Sequence, residues 1–226
     1  MDKFLLYIII PLIIFIFFHN KFFKINIEYC NYRTQKNSSS NDERALRIEY
    51  KPELKDDYKI IFLGESRVGT KTSLINRLQG KEFNSDTEIT LVNSFEEIEI
   101  YKVKNRKITF KLWDTIGLNK YKHLTKLFLI YSDCAVIGYD INNKKNFEEA
   151  KNYWYPLVRE FQECKLIYLI GNKIDLNDRR EVPIEEAIEF AEKENIRYFE
   201  ISCKKGIGIK EFFDDLVNNL IPQENL

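Results

Sequence analysis

The segment Gly64-Glu-Ser-Arg-Val-Gly-Thr-Lys-Thr72 follows an apolar run, Lys59-Ile-Ile-Phe-Leu63. A glycine-rich turn between a buried strand and a helix is a place where backbone N–H groups face a phosphate on the helix's positive N-terminus. The usual spacing for that chemistry is G-x-x-x-x-G-K-[ST], with the lysine on the phosphates and the hydroxyl on Mg²⁺. Here Thr70 stands between Gly69 and Lys71. Either the loop bulges and Lys71 and Thr72 keep those two places, or the register holds and Thr70 and Lys71 occupy them, losing both contacts. The helical continuation Ser73-Leu-Ile-Asn-Arg-Leu78 runs on from Lys71-Thr72 without a slip, which favours the bulge and assigns the extra residue to the loop. Gly64, Glu65, Ser66, Arg67, Val68, Gly69, Lys71, Thr72 and Ser73 then form the candidate phosphate cradle. Arg67 either adds a cation to it or points to solvent, and solvent is the simpler reading.

Three further motifs carry related chemistry. Trp113-Asp-Thr-Ile-Gly117 ends a strand on a carboxylate, so that Asp114 can hold a Mg²⁺ water shell while Gly117 lets its N–H approach a terminal phosphate. Alone, a D-x-x-G is as often a tight turn. In Asn172-Lys-Ile-Asp175, a carboxylate at Asp175 can accept from both N1–H and the exocyclic amine of guanine, which adenine cannot supply, and leaving it unpaired would be costly. Ser202-Cys-Lys204 offers the Cys203 N–H to the guanine carbonyl, and the aliphatic stems of Lys173 and Lys204 can sandwich the ring. Each of these alone is more often a solvated loop. Their conjunction points to a guanine nucleotide.

The elements that must hold these residues follow from periodicity. Apolar strands alternating with amphipathic helices predict an α/β sheet with helices on both faces. The first strand covers 59–63 and the first helix 71–78, stopped at Gly80. Phe95 to Val103 and Lys107 to Trp113 alternate with period two around Lys104-Asn-Arg106, a hairpin that makes one antiparallel edge in an otherwise parallel six-stranded sheet. Further strands are expected at 134–139, 165–170 and 197–201, and helices at 146–163, 184–194 (with Pro183 at its start) and 209–220. Each motif falls at the C-terminal end of a strand, where open α/β sheets bind ligands. That convergence is a stronger signal than any single motif.

At this point the chain, from Tyr58 to about Ile221, resembles the Ras superfamily of small GTPases, and most closely its Rab branch. Supporting fragments are Trp113-Asp-Thr-x-Gly117, Tyr139-Asp-Ile141, Trp154 with Arg159-Glu160, Gly171-Asn-Lys-x-Asp175, Arg180-Glu-Val182, Glu185-Glu-Ala187 and Glu200-Ile-Ser202. The resemblance implies a P-loop G domain over 58–222, binding GTP or GDP with Mg²⁺ as a switch in vesicle traffic. It also implies effector and regulator proteins that read two mobile segments. It puts the switch threonine at Thr90, so Thr72, Thr90 and Asp114 are the implied Mg²⁺ set; Val92 departs from the family's glycine there. Leu118 stands where the family has the glutamine that orients the attacking water, and leucine makes no hydrogen bond, so hydrolysis is expected to be slow. Asn119 replaces a glutamate and Ile116 an alanine. The alternative is a non-catalytic pseudo-GTPase that serves as a binding module.

Bulk properties bound the rest. With 226 residues and 35 basic against 35 acidic side chains, the chain fits one globular domain plus an appendage, with no whole-protein attraction to nucleic acid. Cys30, Cys134, Cys164 and Cys203 are too scattered for a zinc site or a disulfide framework, and His19 and His123 lack sequence partners for a metal or catalytic role. Residues 4–18 are uncharged and nearly all apolar, and Phe22 and Phe23 extend the run. The strict run would span roughly 22 Å as a helix and the extended one roughly 30 Å, enough for a bilayer. No small-residue cleavage site follows, so residues 1–30 read as a retained signal anchor. Lys21, Lys24, Arg33 and Lys36 on its C-terminal side place the downstream domain in the cytosol. Residues 31–57, polar and rich in Asn, Ser and Lys, read as a flexible tether. The tail, Ile221 to Leu226, has no cysteine, so a prenyl anchor is not expected and the apolar segment takes over that task. The competing expectation is a cleaved leader that sends the domain into an organelle lumen. Full-length protein should resist carbonate extraction from membranes with residues 1–30 intact; a mature form lacking them would establish the cleaved leader instead.

Overall fold

The computed structural model describes residues 55–65, 69–84, 94–103, 106–117, 122–161, 164 and 166–221. The apolar run, most of the polar tether, Ser66, Arg67, Val68, Thr90, Leu118, Asn119 and the tail beyond Ile221 lie outside them. Among the described residues no helix is long and apolar enough to cross a membrane.

The interior of the sheet is organised around β1 (Asp57–Leu63). Its side chains alternate between two cores because successive Cβ atoms in a strand point to opposite faces. Tyr58, Ile60 and Phe62 join one core, together with Leu74 and Ile75 of α1 (Lys71–Leu78) and Phe212 and Leu216 of the last helix. Ile61 and Leu63 join the other. A strand buried on both faces needs partners on both edges, and β1 has them. It pairs in parallel with β3 (Arg106–Asp114) on one side and with β4 (Cys134–Asp140) on the other.

The full order is β2-β3-β1-β4-β5-β6, with β2 (Ser94–Val103) antiparallel to β3 and the remaining neighbours parallel. β5 (Leu166–Asn172) and β6 (Arg197–Ile201) complete the sheet. This is the expected six-stranded, mostly parallel sheet with one antiparallel edge. α1 and α6 (Ile209–Leu220) cover one face. The other carries α2 (Lys122–Leu129), α3 (Lys144–Glu149), α4 (Tyr155–Arg159) and α5 (Ile184–Lys193).

Three local differences from the sequence reading have physical causes. α2 was not anticipated; it is a short helix of eight residues, and runs of that length have no decisive period. The helix expected at 146–163 begins at Lys144, where the Asn143 side chain accepts from the Asn146 N–H at 3.1 Å. It widens into a π-turn at Ala150–Trp154 before α4 ends at Arg159. The wide turn is closed by the Tyr155 N–H on the Ala150 carbonyl, and Pro156, which has no N–H to place, follows directly. Finally, β5 runs on through Gly171 and Asn172, so Asn172 is still in the ladder, opposite Asp140 and Ile201. That extension holds Asn172 at the rim where the site residues collect.

Candidate functional site

The site is built at the C-terminal ends of β1, β3, β5 and β6. β1 ends at Leu63, and the chain turns at Gly64 with φ +139°. A Cβ there would approach the Gly138 carbonyl oxygen to 2.5 Å, so both the angle and the space require glycine. Gly69, at φ +71°, makes the return turn into α1.

Lys71 opens α1 and folds back over the loop. Its Nζ donates to the carbonyl oxygens of Gly64 and Glu65, each at 2.8 Å. The residue is only 7% exposed, and this burial lowers its pKa from the ordinary 10.5 to about 8, while Asp114 and Glu65 act in the opposite direction. Next to it, Thr72 Oγ1 donates to Asp114 Oδ2 at 2.5 Å. Asp114 is the last residue of β3 and is buried. The turn after it is tied to the central strand by Thr115, whose hydroxyl donates to the Phe62 carbonyl at 2.6 Å, and it leads to buried Ile116 and Gly117. Glu65 is held from the opposite side by Asn146 Nδ2, 2.8 Å from its carboxylate.

Lys71 thus lies against the loop carbonyls and Thr72 against Asp114, side by side at the start of α1. The extra residue, however, is not out in the loop. Thr70 has helical dihedrals (φ −89°, ψ −45°), its carbonyl accepts the Leu74 N–H at 2.9 Å, and its side chain is turned inward and buried. It is absorbed at the start of α1. A helix can take one more residue at its N-terminus without changing the spacing of those that follow.

The second half of the site is joined to the first by two side chains. Asn172 is buried; its Nδ2 donates to the Gly69 carbonyl and its Oδ1 accepts the Cys203 N–H, both at 3.1 Å. The Cys203 N–H expected to face a guanine carbonyl is therefore committed to Asn172, because a buried amide oxygen must find a donor. The open backbone donor of this turn is the Lys204 N–H, which has no hydrogen-bond partner among the described residues. Arg77 in the last turn of α1 is the other tie. Its Nε donates to the Cys203 carbonyl at 2.6 Å and its Nη2 to the Lys204 carbonyl at 2.8 Å.

Asp175 sits in a 3₁₀ turn, Ile174–Arg179, just beyond β5. Ser202 Oγ donates to one of its carboxylate oxygens at 2.5 Å and accepts the Lys205 N–H at 3.0 Å, so one hydroxyl orients the carboxylate and closes the loop after β6. Lys173 adopts the left-handed conformation (φ 74°), pairs with Asp140 at 2.6 Å and brings its stem close to Gly69. Lys204 is exposed and Cys203 is buried, with burial raising the Cys203 thiol to about 12 and leaving it inert. Arg180 grips Glu200 with both guanidinium nitrogens at 2.7 and 2.8 Å, fixing the strand that leads to Ser202.

Of the residues named from sequence, Gly64, Glu65, Gly69, Lys71, Thr72, Asp114 and Gly117 gather on one side of this rim. Asn172, Lys173, Asp175, Ser202, Cys203 and Lys204 gather on the other, and Ser73 is buried behind Lys71. Thr115 and Arg77 were not singled out from sequence. An arginine in a last helical turn reads first as a partner of the helix dipole. Among the described residues no group of three or more His, Cys, Asp or Glu side chains forms a ready-made metal cage. The oxygen donors Thr72 and Asp114 converge at the mouth, which suits a hard cation that draws its remaining ligands from phosphate and water.

Comparisons with known proteins bear on the domain that carries this site. A model of the Ras family matches residues 59–222. The chain is 34% identical over 163 residues to the Ras-related protein Rab-21 of Geodia cydonium, covering 72% of this chain and 70% of that protein. It is 33% identical over 182 residues to the Ras-related protein Rab-2B of Dictyostelium discoideum, covering 80% and 86%.

Replacing Asn172 by alanine should leave the half-buried Gly69 carbonyl and the buried Cys203 N–H without these partners. The expected loss is about 2 to 4 kcal/mol in urea unfolding, with faster hydrogen exchange at the Cys203 amide. Unchanged exchange there would show that Asn172 does not hold the two loops together.

Proposed function

The chain belongs to the Ras family as a divergent, Rab-like member, and from that premise we propose that it binds GTP and GDP with Mg²⁺ as a slowly hydrolysing switch in membrane traffic. The observation that carries this reading is the pairing of Lys71 with the Gly64 and Glu65 carbonyls beside the Thr72–Asp114 contact. It supports a lysine available to phosphate and a hydroxyl available to a cation despite the inserted Thr70.

In this reading the phosphates enter the turn between Gly64 and Gly69, and the Lys71 ammonium moves from backbone carbonyls to phosphate oxygens. Thr72 and Asp114 hold Mg²⁺, with Thr90 as a further ligand; the ion, when bound, neutralises charge on the terminal phosphates. Asp175, oriented by Ser202, accepts from the guanine edge. The Lys204 N–H, with the loop steadied by Asn172 and Arg77, donates to the guanine carbonyl. The stems of Lys173 and Lys204 cover the ring faces. Leu118 supplies no hydrogen bond to an attacking water, so the GTP state is long-lived.

Beside Asp114, Phe95 is 47% exposed and stacks on Trp113 with centroids 5.3 Å apart, and Trp113 in turn meets Phe128 at 5.7 Å. This aromatic surface supports a role for the neighbouring segments in docking effector proteins. The apolar segment at 4–18 supports attachment to a membrane with the G domain in the cytosol. The non-catalytic alternative, in which Thr70, Arg67 and Leu118 together disable the phosphate site, predicts no Mg²⁺-dependent GTP binding; the contacts of Lys71 and Thr72 beside the buried Thr70 favour the switch.

Calorimetry should find Mg²⁺-dependent binding of GDP and GTP and none of ADP or ATP, while Asp175→Ala lowers guanine-nucleotide affinity by at least ~100-fold. Absence of guanine-nucleotide binding would leave only the non-catalytic reading. In single-turnover assays Leu118→Gln should raise the hydrolysis rate by at least ~10-fold. A wild-type rate that this substitution does not increase would remove Leu118 as the cause of slow turnover.

A further inference from the structure

Gly138 lies in the interior of β4, within a fully buried run and in register with Ile170 of β5. Glycine weakens a strand interior, so its presence there asks for a reason. The reason is not conformational, because Gly138 is not among the residues with positive φ. It is space. A Cβ at Gly138 would lie 2.5 Å from Thr70 Cγ2, 2.6 Å from Thr70 Cβ and 3.1 Å from Thr70 Oγ1. Its carbonyl oxygen also fills the space where a Cβ of Gly64 would be. The backbone at Gly138 therefore touches the phosphate loop at both of its ends.

Thr70 is held in that space by shape alone. It is 1% exposed, its side chain makes no cap hydrogen bond to the helix, and its buried hydroxyl has no hydrogen-bond partner among the described residues. Such a residue gains nothing from hydrogen bonding in its position; it is there because the chain has one residue too many and β4 has room for it. If the room were closed, Thr70 would be forced outward, and Lys71 and Thr72, which follow it directly, would be carried with it.

We propose that Gly138 is a positioning residue for the phosphate loop: its missing side chain admits the inserted Thr70 and so keeps Lys71 and Thr72 in their phosphate and Mg²⁺ positions. This role rests on the nucleotide reading given above. It makes the insertion and the glycine a matched pair, in which either change alone disturbs the site and the two together preserve it.

The test compares full-length wild-type protein with Gly138→Ala, Thr70→Gly/Gly138→Ala and Thr70→Ala/Gly138→Ala. For each, GDP affinity is measured in Mg²⁺ and in EDTA, and folding is checked by circular dichroism. Overpacking of this order should weaken GDP binding in Gly138→Ala by at least ~10-fold. The ratio of affinities in Mg²⁺ and EDTA should also shrink, because that ratio depends on where Thr72 stands and not on general stability. Thr70→Gly/Gly138→Ala should return both to within ~3-fold of wild type, since glycine removes the clashing Cβ and is tolerated at a helix N-cap. Thr70→Ala/Gly138→Ala should not, because the Cβ remains. If Gly138→Ala does not fold, the contrast between the two double variants decides. Wild-type GDP binding together with an unaffected Gly138→Ala, or with no rescue by Thr70→Gly, would overturn the positioning role alone. No GDP binding by wild type would overturn the nucleotide reading and the positioning role with it.

Discussion

A lysine ammonium that is almost fully buried must be compensated on every side, and at Lys71 the compensation is supplied by the backbone of the loop that precedes it. This requirement orders the site. The carbonyls of Gly64 and Glu65 have to point inward, which fixes the turn at the end of β1, and α1 has to begin where the lysine reaches them. Thr72 is then brought onto Asp114 at the end of the neighbouring strand. An ammonium whose pKa burial has lowered to about 8 is also one for which an incoming anion is a better partner than carbonyl dipoles. The interaction that stabilises the loop is thereby the one a phosphate would replace.

The side of the rim proposed to read the base is subordinate to the same frame. Asn172 reaches from the end of β5 to Gly69 on one side and Cys203 on the other, and Arg77 reaches from the end of α1 to the carbonyls of Cys203 and Lys204. Neither contact needs a ligand, so the two halves are held in register by the protein itself. Pre-organisation of this kind reduces the ordering cost of binding.

Much of this was legible in the chain. The apolar runs around Ile60, Val136 and Leu169 gave the buried strands, the alternation from Phe95 to Trp113 gave the antiparallel edge, and motif order put Asp114, Asn172, Asp175 and Ser202 at one rim. What was not legible depends on contacts between residues far apart in sequence. The buried placement of Thr70 at the N-cap of α1 requires knowing that β4 lacks a side chain at Gly138. The diversion of the Cys203 N–H follows from the unmet acceptor on Asn172, which no local pattern displays. Arg77 looks like any arginine closing a helix until its carbonyl partners are known. The π-turn before Pro156 shows only once the Tyr155 N–H is seen to reach the Ala150 carbonyl.

The central claim is that this rim is a guanine-nucleotide site despite the inserted residue. It is tested most directly by denaturing the purified protein, kept in Mg²⁺ throughout, and identifying the released small molecule by chromatography. The account predicts GDP or GTP at close to one equivalent per chain. Adenine nucleotide, or no nucleotide from protein that also fails to take up added GDP, would contradict it.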